Sequence, residues 1–150
     1  MFHKYFYNFL LIALLISVAS CSSNNAEKSI KPKKIIPLEK LYTGAYSNFE
    51  NGNYSDAVEL FKLVERDYSY TEWAPRALLM SAYAYWSQQY YNSSIGELER
   101  FIEVYAVNQN LDYAYYLLAM NYYESIEDEK KNLKNLLQSK KYFEIIMERF

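Results

Sequence analysis

Three alanines, Ala45, Ala82 and Ala119, stand 37 residues apart, and their surroundings repeat with them. In this register Leu41 aligns with Leu78 and Tyr115, and Phe49 with Trp86 and Tyr123. Bulky residues four before and four after a small one share a helical face, and the small residue is where two helices of a hairpin approach closely. A second helix follows in each unit. Gly52-Asn53-Tyr54 leads through Ala57 into Val58, Phe61 and Val64, and Gln89-Tyr90-Tyr91 leads through Ser94 into Ile95, Leu98 and Phe101. After a charged insertion from Glu127 to Asn135, Ser139, Phe143 and Ile146 resume the pattern. A period of this length predicts hairpins stacked side by side, each burying an apolar face against the next. The expected fold is all-α, a solenoid of antiparallel helix hairpins, with units at about 38–70, 74–106 and 111–150. Three Gly and three Pro in 150 residues are too few for a sandwich or barrel that turns every ten residues or so.

Composition narrows the function. A formal net charge of -2 gives no basic footprint, so nucleic acid is not an expected partner. One cysteine cannot close an intramolecular disulfide, and one histidine, His3, has no neighbours with which to build a zinc site or a Ser/His/Asp triad. No phosphate-binding Gly-rich loop or nucleophile elbow is present. Glu99 and Glu103 lie one helical turn apart, but like charges on an exposed helix face explain them more simply than a glycosidase pair. Glu124, Glu127, Asp128 and Glu129 precede Lys130 and Lys131 without the glycine of a calcium loop, which fits a solvated insertion with local ion pairs. No enzymatic activity, metal or cofactor is expected.

The amino terminus reads as a targeting segment. Lys4 precedes an apolar run from Phe9 to Ile16, and Ser17-Val18-Ala19-Ser20 supplies small residues at a cleavage site. The run is shorter than the roughly 20 apolar residues that a membrane-spanning helix needs. Val18-Ala19-Ser20-Cys21 resembles a bacterial lipobox, which implies a signal peptide over residues 1–20 and a covalent lipid on Cys21, the only thiol. Acyl chains anchor without spanning, each buried CH₂ contributing about 0.8 kcal/mol. Ser22 stands where inner-membrane retention usually uses Asp in enteric bacteria, so the resemblance implies the periplasmic face of the outer membrane. Residues 21–37 lack an apolar period, carry Lys28, Lys31, Lys33 and Lys34, and read as a lipidated cysteine followed by a flexible tether.

The repeats resemble the tetratricopeptide repeat of about 34 residues, with Gly52, Tyr54, Ala57 and Phe61 at its turn and second-helix positions. Ser69 and Ala106 stand where its closing proline would be. A closer likeness is carried by Gly52-Asn53-Tyr54, by Phe61 with Glu65-Arg66, by the string Ala77 to Tyr85, by Phe101-Ile102 with Tyr105, and by Asp112 to Leu117. From about Leu41 to Phe150 these resemble the BamD family, the lipoprotein subunit of the β-barrel assembly machine of Gram-negative bacteria. The resemblance implies a scaffold of five repeats. Its implied partners are BamA and the other assembly-machine subunits, unfolded outer-membrane β-barrel proteins, and the membrane through the lipid anchor. Aligning Phe143 with Phe61 sets Phe150 opposite Tyr68, where a fourth unit would start, so the sequence is expected to be a fragment. The family's contacts to BamA fall largely on later repeats, and direct BamA docking is not expected of these three. The second reading is a general repeat scaffold that organises cell-wall enzymes.

In tetratricopeptide folds the first helix of each hairpin lines a concave groove. The 37-residue register places there Tyr42, Tyr46 and Phe49, then Arg76, Leu79, Tyr83 and Trp86, then Tyr113, Tyr116, Met120 and Tyr123. Flat amphipathic rings give contact area at small rotamer cost, with a hydroxyl that can meet a peptide amide, and Arg76 can pair with a carboxylate. The groove is expected to bind extended, aromatic-ended segments of barrel proteins, with about half of the rings serving as packing. Tyr85, Tyr115 and Tyr122 are expected in the core.

Overall fold

The computed structural model describes residues 35–126 and 133–150. The signal segment, Cys21, the tether up to Lys34, and Glu127, Asp128, Glu129, Lys130 and Lys131 lie outside the described residues. Six helices follow in order: α1 (Leu38–Glu50), α2 (Tyr54–Asp67), α3 (Trp73–Ser87), α4 (Tyr91–Val104), α5 (Leu111–Glu124) and α6 (Leu133–Arg149), with no strand among the described residues. Each packs mainly on its sequence neighbours, so the hairpins α1–α2, α3–α4 and α5–α6 stack in chain order. This is the all-α repeat architecture that the sequence predicts.

Proline and turn chemistry set the helix limits. The Pro37 carbonyl accepts the amide of Leu41 and opens α1, while Pro75 sits in the first turn of α3, where its missing N–H removes no helical bond. Three pairs of turn hydrogen bonds recur at the 37-residue spacing. Gly52 donates to Phe49 and Gln89 to Trp86; Asn53 donates to Asn48 and Tyr90 to Tyr85; Thr71 donates to Tyr68 and Asn108 to Tyr105. The turns that follow α1 and α3 require a left-handed residue. Gly52 takes φ 75° freely, but its equivalent is Gln89 at φ 62°, a conformation that costs a residue with a Cβ about 1 kcal/mol.

Packing explains why α3 and α5 are less amphipathic than their partners. Each is held between the second helix of its own hairpin and that of the preceding one, so it is buried on two sides. One cluster joins Leu41, Ala45, Ala57, Phe61 and Val64 to Ala77 of α3. Another joins Leu78, Leu79 and Ala82 to Leu98, Phe101, Leu111, Ala114, Tyr115, Leu117 and Leu118. Ala77 and Leu78 thus carry the core from one hairpin into the next. Ala45, Ala82 and Ala119 are all fully buried, as close approach demands. Ser94 replaces Ala57 at the facing position and donates its hydroxyl to the Ala82 carbonyl at 2.8 Å, which satisfies the polar group within the contact. Tyr115 is buried as predicted; Tyr85 and Tyr122 are only half-buried, because their hydroxyls reach out to Lys62 and Glu99.

Candidate functional site: an aromatic hollow on the first-helix face

The first helices α1, α3 and the start of α5 enclose a hollow of about 450 Å³ lined by Tyr42, Tyr46, Phe49, Arg76, Leu79, Met80, Tyr83 and Tyr113. It is built because the first helices place their non-core stripe on one side. Leu41 and Ala45 face α2, leaving Tyr42, Tyr46 and Phe49 one residue or one turn round, and Arg76, Met80 and Tyr83 form the matching stripe of α3.

The rings brace one another. Tyr42 packs edge-on against Phe61 at 5.7 Å and Trp73 at 4.6 Å; Phe49 contacts Tyr83 at 5.5 Å, and Tyr83 contacts Trp86 at 5.3 Å. Such contacts fix ring orientations before a ligand arrives and reduce the ordering cost of binding. Burial raises the Tyr42 phenol above its ordinary value, with the nearby Arg76 charge opposing. Burial also raises the Tyr113 phenol, helped by Tyr83 and Tyr116. Both stay neutral hydroxyls at neutral pH. Tyr46 and Tyr113 are exposed, and the side-chain hydroxyls of these two and of Tyr83 make no hydrogen bond among the described residues. Arg76 lies 3.5 Å from Glu72 and 5.3 Å over the Trp73 ring, an exposed pair that a carboxylate ligand can displace.

Of the eleven residues that the register assigns to this face, the hollow gathers Tyr42, Tyr46, Phe49, Arg76, Leu79, Tyr83 and Tyr113. Trp86, Tyr116, Met120 and Tyr123 do not line it. The indole N–H of Trp86 is committed to Glu124 at 2.8 Å, tying α3 to α5. Tyr116 stacks on Tyr113 and meets Phe143 of α6 edge-on, while Tyr123 is exposed further along α5. The register does not assign Met80 to this face, although it lies one turn beyond Arg76.

The face formed by α2 and α4 has a wider cleft, about 650 Å³, but Lys62, Glu65, Glu97 and Arg100 within it already serve one another. Lys62 reaches Glu97 at 2.7 Å, and Arg100 bridges Glu65 at 2.8 Å and Glu97 at 2.9 Å. Burial alone would raise the Glu97 carboxyl, yet hydrogen bonds and charge from Lys62 and Arg100 outweigh it and hold it below the usual carboxylate range. Beside α5, burial together with Glu99 pushes the Tyr122 phenol up to about 12. Among the described residues no group of three or more His, Cys, Asp or Glu is placed to hold a metal ion, and no helix is long and apolar enough to cross a membrane. What the aromatic hollow offers is ring contact, unpaired hydroxyls and one exchangeable cation, the chemistry of peptide binding.

Comparison with known proteins gives a family match over residues 36–150, to the model described as YfiO, outer membrane lipoprotein. The protein of Caulobacter vibrioides named outer membrane protein assembly factor BamD is 36% identical over 124 residues, which cover 81% of this chain and 39% of that relative. The protein of the same name from Rickettsia prowazekii is 29% identical over 144 residues, covering 94% of this chain and 56% of the relative. That from Neisseria gonorrhoeae is 28% identical over 109 residues, covering 72% and 41%. The matched region thus spans 39% to 56% of the length of these curated relatives.

Proposed function

Since the chain belongs to the YfiO family of outer membrane lipoproteins, we propose that it acts as an assembly factor of the BamD kind. It helps barrel proteins fold and insert into the outer membrane by binding, without catalysis. Its partners are unfolded barrel proteins and the subunits of the assembly machine. It is held at the periplasmic face of the outer membrane by lipid on Cys21, with no other cofactor. Relatives named as outer membrane protein assembly factors support this reading at the level of the family.

The observation that carries the binding part is the hollow of Tyr42, Tyr46, Phe49, Arg76, Leu79, Met80, Tyr83 and Tyr113. Its hydroxyls have no protein partner among the described residues, so an extended backbone exchanges only water for hydrogen bonds there. A terminal aromatic ring adds contact area, and its carboxylate replaces Glu72 on Arg76.

The test is a titration with a synthetic peptide of alternating apolar and polar residues ending in phenylalanine, as the free acid and as the amide. Binding that favours the acid, and that falls at least tenfold in Tyr46→Ala/Tyr83→Ala/Arg76→Ala with helicity intact, is expected. Equal affinity for parent and triple variant would remove the hollow from the mechanism. Recovery of barrel precursors and assembly-machine subunits in a pull-down supports the assembly role; recovery of cell-wall hydrolases alone would replace it with the scaffold reading.

A further inference from the structure

The two edges of the hairpin stack differ in chemistry. One carries the turns after α1 and α3, whose tips are Asn51 with Gly52 and Gln88 with Gln89. Its exposed apolar residues include Tyr90, Tyr123, Leu133 and Leu137, but none recurs as an exposed apolar residue at an equivalent position: the equivalent of Tyr90 is Asn53. The other edge carries the turns between hairpins. There Tyr70 and Val107, 37 residues apart, are both fully exposed, at 104% and 101%. An apolar tip that recurs at one register position is not a scattered surface residue.

Three further observations belong to this second edge. Val107 and Asn108 border a hollow of about 290 Å³ with Glu72, Pro75 and Arg76, so the two inter-hairpin turns stand side by side. Ile35, also exposed, lies where the described chain begins, and the next residue is fixed there by the Tyr68 hydroxyl donating to the Ile36 carbonyl at 2.8 Å. Of the edge's acidic side chains, Asp67 and Glu72 are each matched by an arginine, Arg66 and Arg76. Glu39, Glu103 and Asp112 form no ion pair among the described residues, so the positive charge facing the lipid comes from upstream. Immediately upstream in sequence come Lys28, Lys31, Lys33 and Lys34.

We propose that this edge, with Tyr70 and Val107 at its tips, rests on a phospholipid surface containing anionic headgroups. The inference rests on the reading that Cys21 is lipidated. From Cys21 to Ile35 the chain can reach at most about 50 Å, so Ile35 and its edge are held within that distance of the anchored cysteine. At that range weak contacts are intramolecular and need no high affinity of their own. Tyrosine suits the interface because its ring is apolar and its hydroxyl polar, valine adds apolar contact, and the lysines are attracted to headgroup phosphate within a Debye length. The edge bearing Gly52 and Gln89 then faces away from the lipid.

The test uses the full chain, processed in bacterial membranes and reconstituted into phosphatidylethanolamine–phosphatidylglycerol vesicles. A polarity-sensitive fluorophore is attached at Tyr70→Cys or Val107→Cys, and at Asn51→Cys or Gln88→Cys as opposite-edge controls. Acylated Cys21 leaves the introduced thiol as the one that labels. Nitroxide lipid is expected to quench the probes at 70 and 107 several-fold more than those at 51 and 88. Equal quenching at the two edges overturns the inference. So do probes at 70 and 107 that are shielded from water yet unquenched by lipid, since a protein then covers them. Intact mass of the same sample reads the anchor separately: acylated protein with unquenched turn probes overturns the edge and leaves the anchor, whereas unacylated protein that does not float with vesicles overturns both.

Discussion

The first-helix face and the α2–α4 face are made from the same hairpins but differ in what their polar groups have left to do. On the α2–α4 face Glu97 is only 13% exposed at its side chain and takes contacts from both Lys62 and Arg100. On the first-helix face the hydroxyls of Tyr46, Tyr83 and Tyr113 have no partner among the described residues. A cleft lined by satisfied charges must break protein ion pairs before it can bind, whereas a hollow lined by aromatic rings and solvated hydroxyls gives up only water. Volume therefore misleads here: the wider cleft is the less receptive one.

The largest effect comes from removing what both faces stand on. Phe61 is fully buried beneath α1 and touches Tyr42, so Phe61→Ala is expected to cost about 3–5 kcal/mol in chemical denaturation and to weaken peptide binding as well. Next is a change confined to the hollow. Tyr46→Ala with Tyr113→Ala should cost about 2–3 kcal/mol of peptide affinity by calorimetry while stability moves by only about 1 kcal/mol, since both rings are partly exposed. A comparable loss of stability would mean that these rings are structural.

Glu97→Gln tests the opposite face. It should cost about 1–2 kcal/mol of stability at neutral pH and leave peptide affinity unchanged. Because the folded-state pKa of Glu97 is lowered, its contribution is complete above the ordinary carboxylate value of 4.5 and is lost as pH falls below it. The variant should therefore show a shallower acid limb in unfolding experiments; superimposable limbs would deny the network its role. Two smaller gains follow. Gln89→Gly relieves a left-handed backbone and should stabilise by about 1 kcal/mol. Ser81→Ala removes a buried hydroxyl that has no partner and should add about 0.5 kcal/mol, read as a small rise in Tm.

Much of the fold was legible because it depends on spacing. Ala45, Ala82 and Ala119, and Ala57 with Ser94, announce close approach wherever they recur, and the register carried seven of the eight residues that line the hollow. Contacts between neighbouring hairpins were harder to see. Lys62–Glu97 and Glu65–Arg100 join positions 35 apart, not 37, because long charged side chains reach between second helices that do not themselves pack together. Opposite charges at that shorter spacing were the available signal. Trp86 shows the limit from another side: its register position is correct, but only the arrival of Glu124 from α5 decides that its N–H is occupied.

The turn hydrogen bonds that recur from Gly52 to Gln89 and from Thr71 to Asn108 make one hairpin a ruler for the next. A lengthened or shortened loop in the first hairpin would rotate every later one by the same error, so selection acting on a distant ring can be felt at a tight bend that touches no ligand.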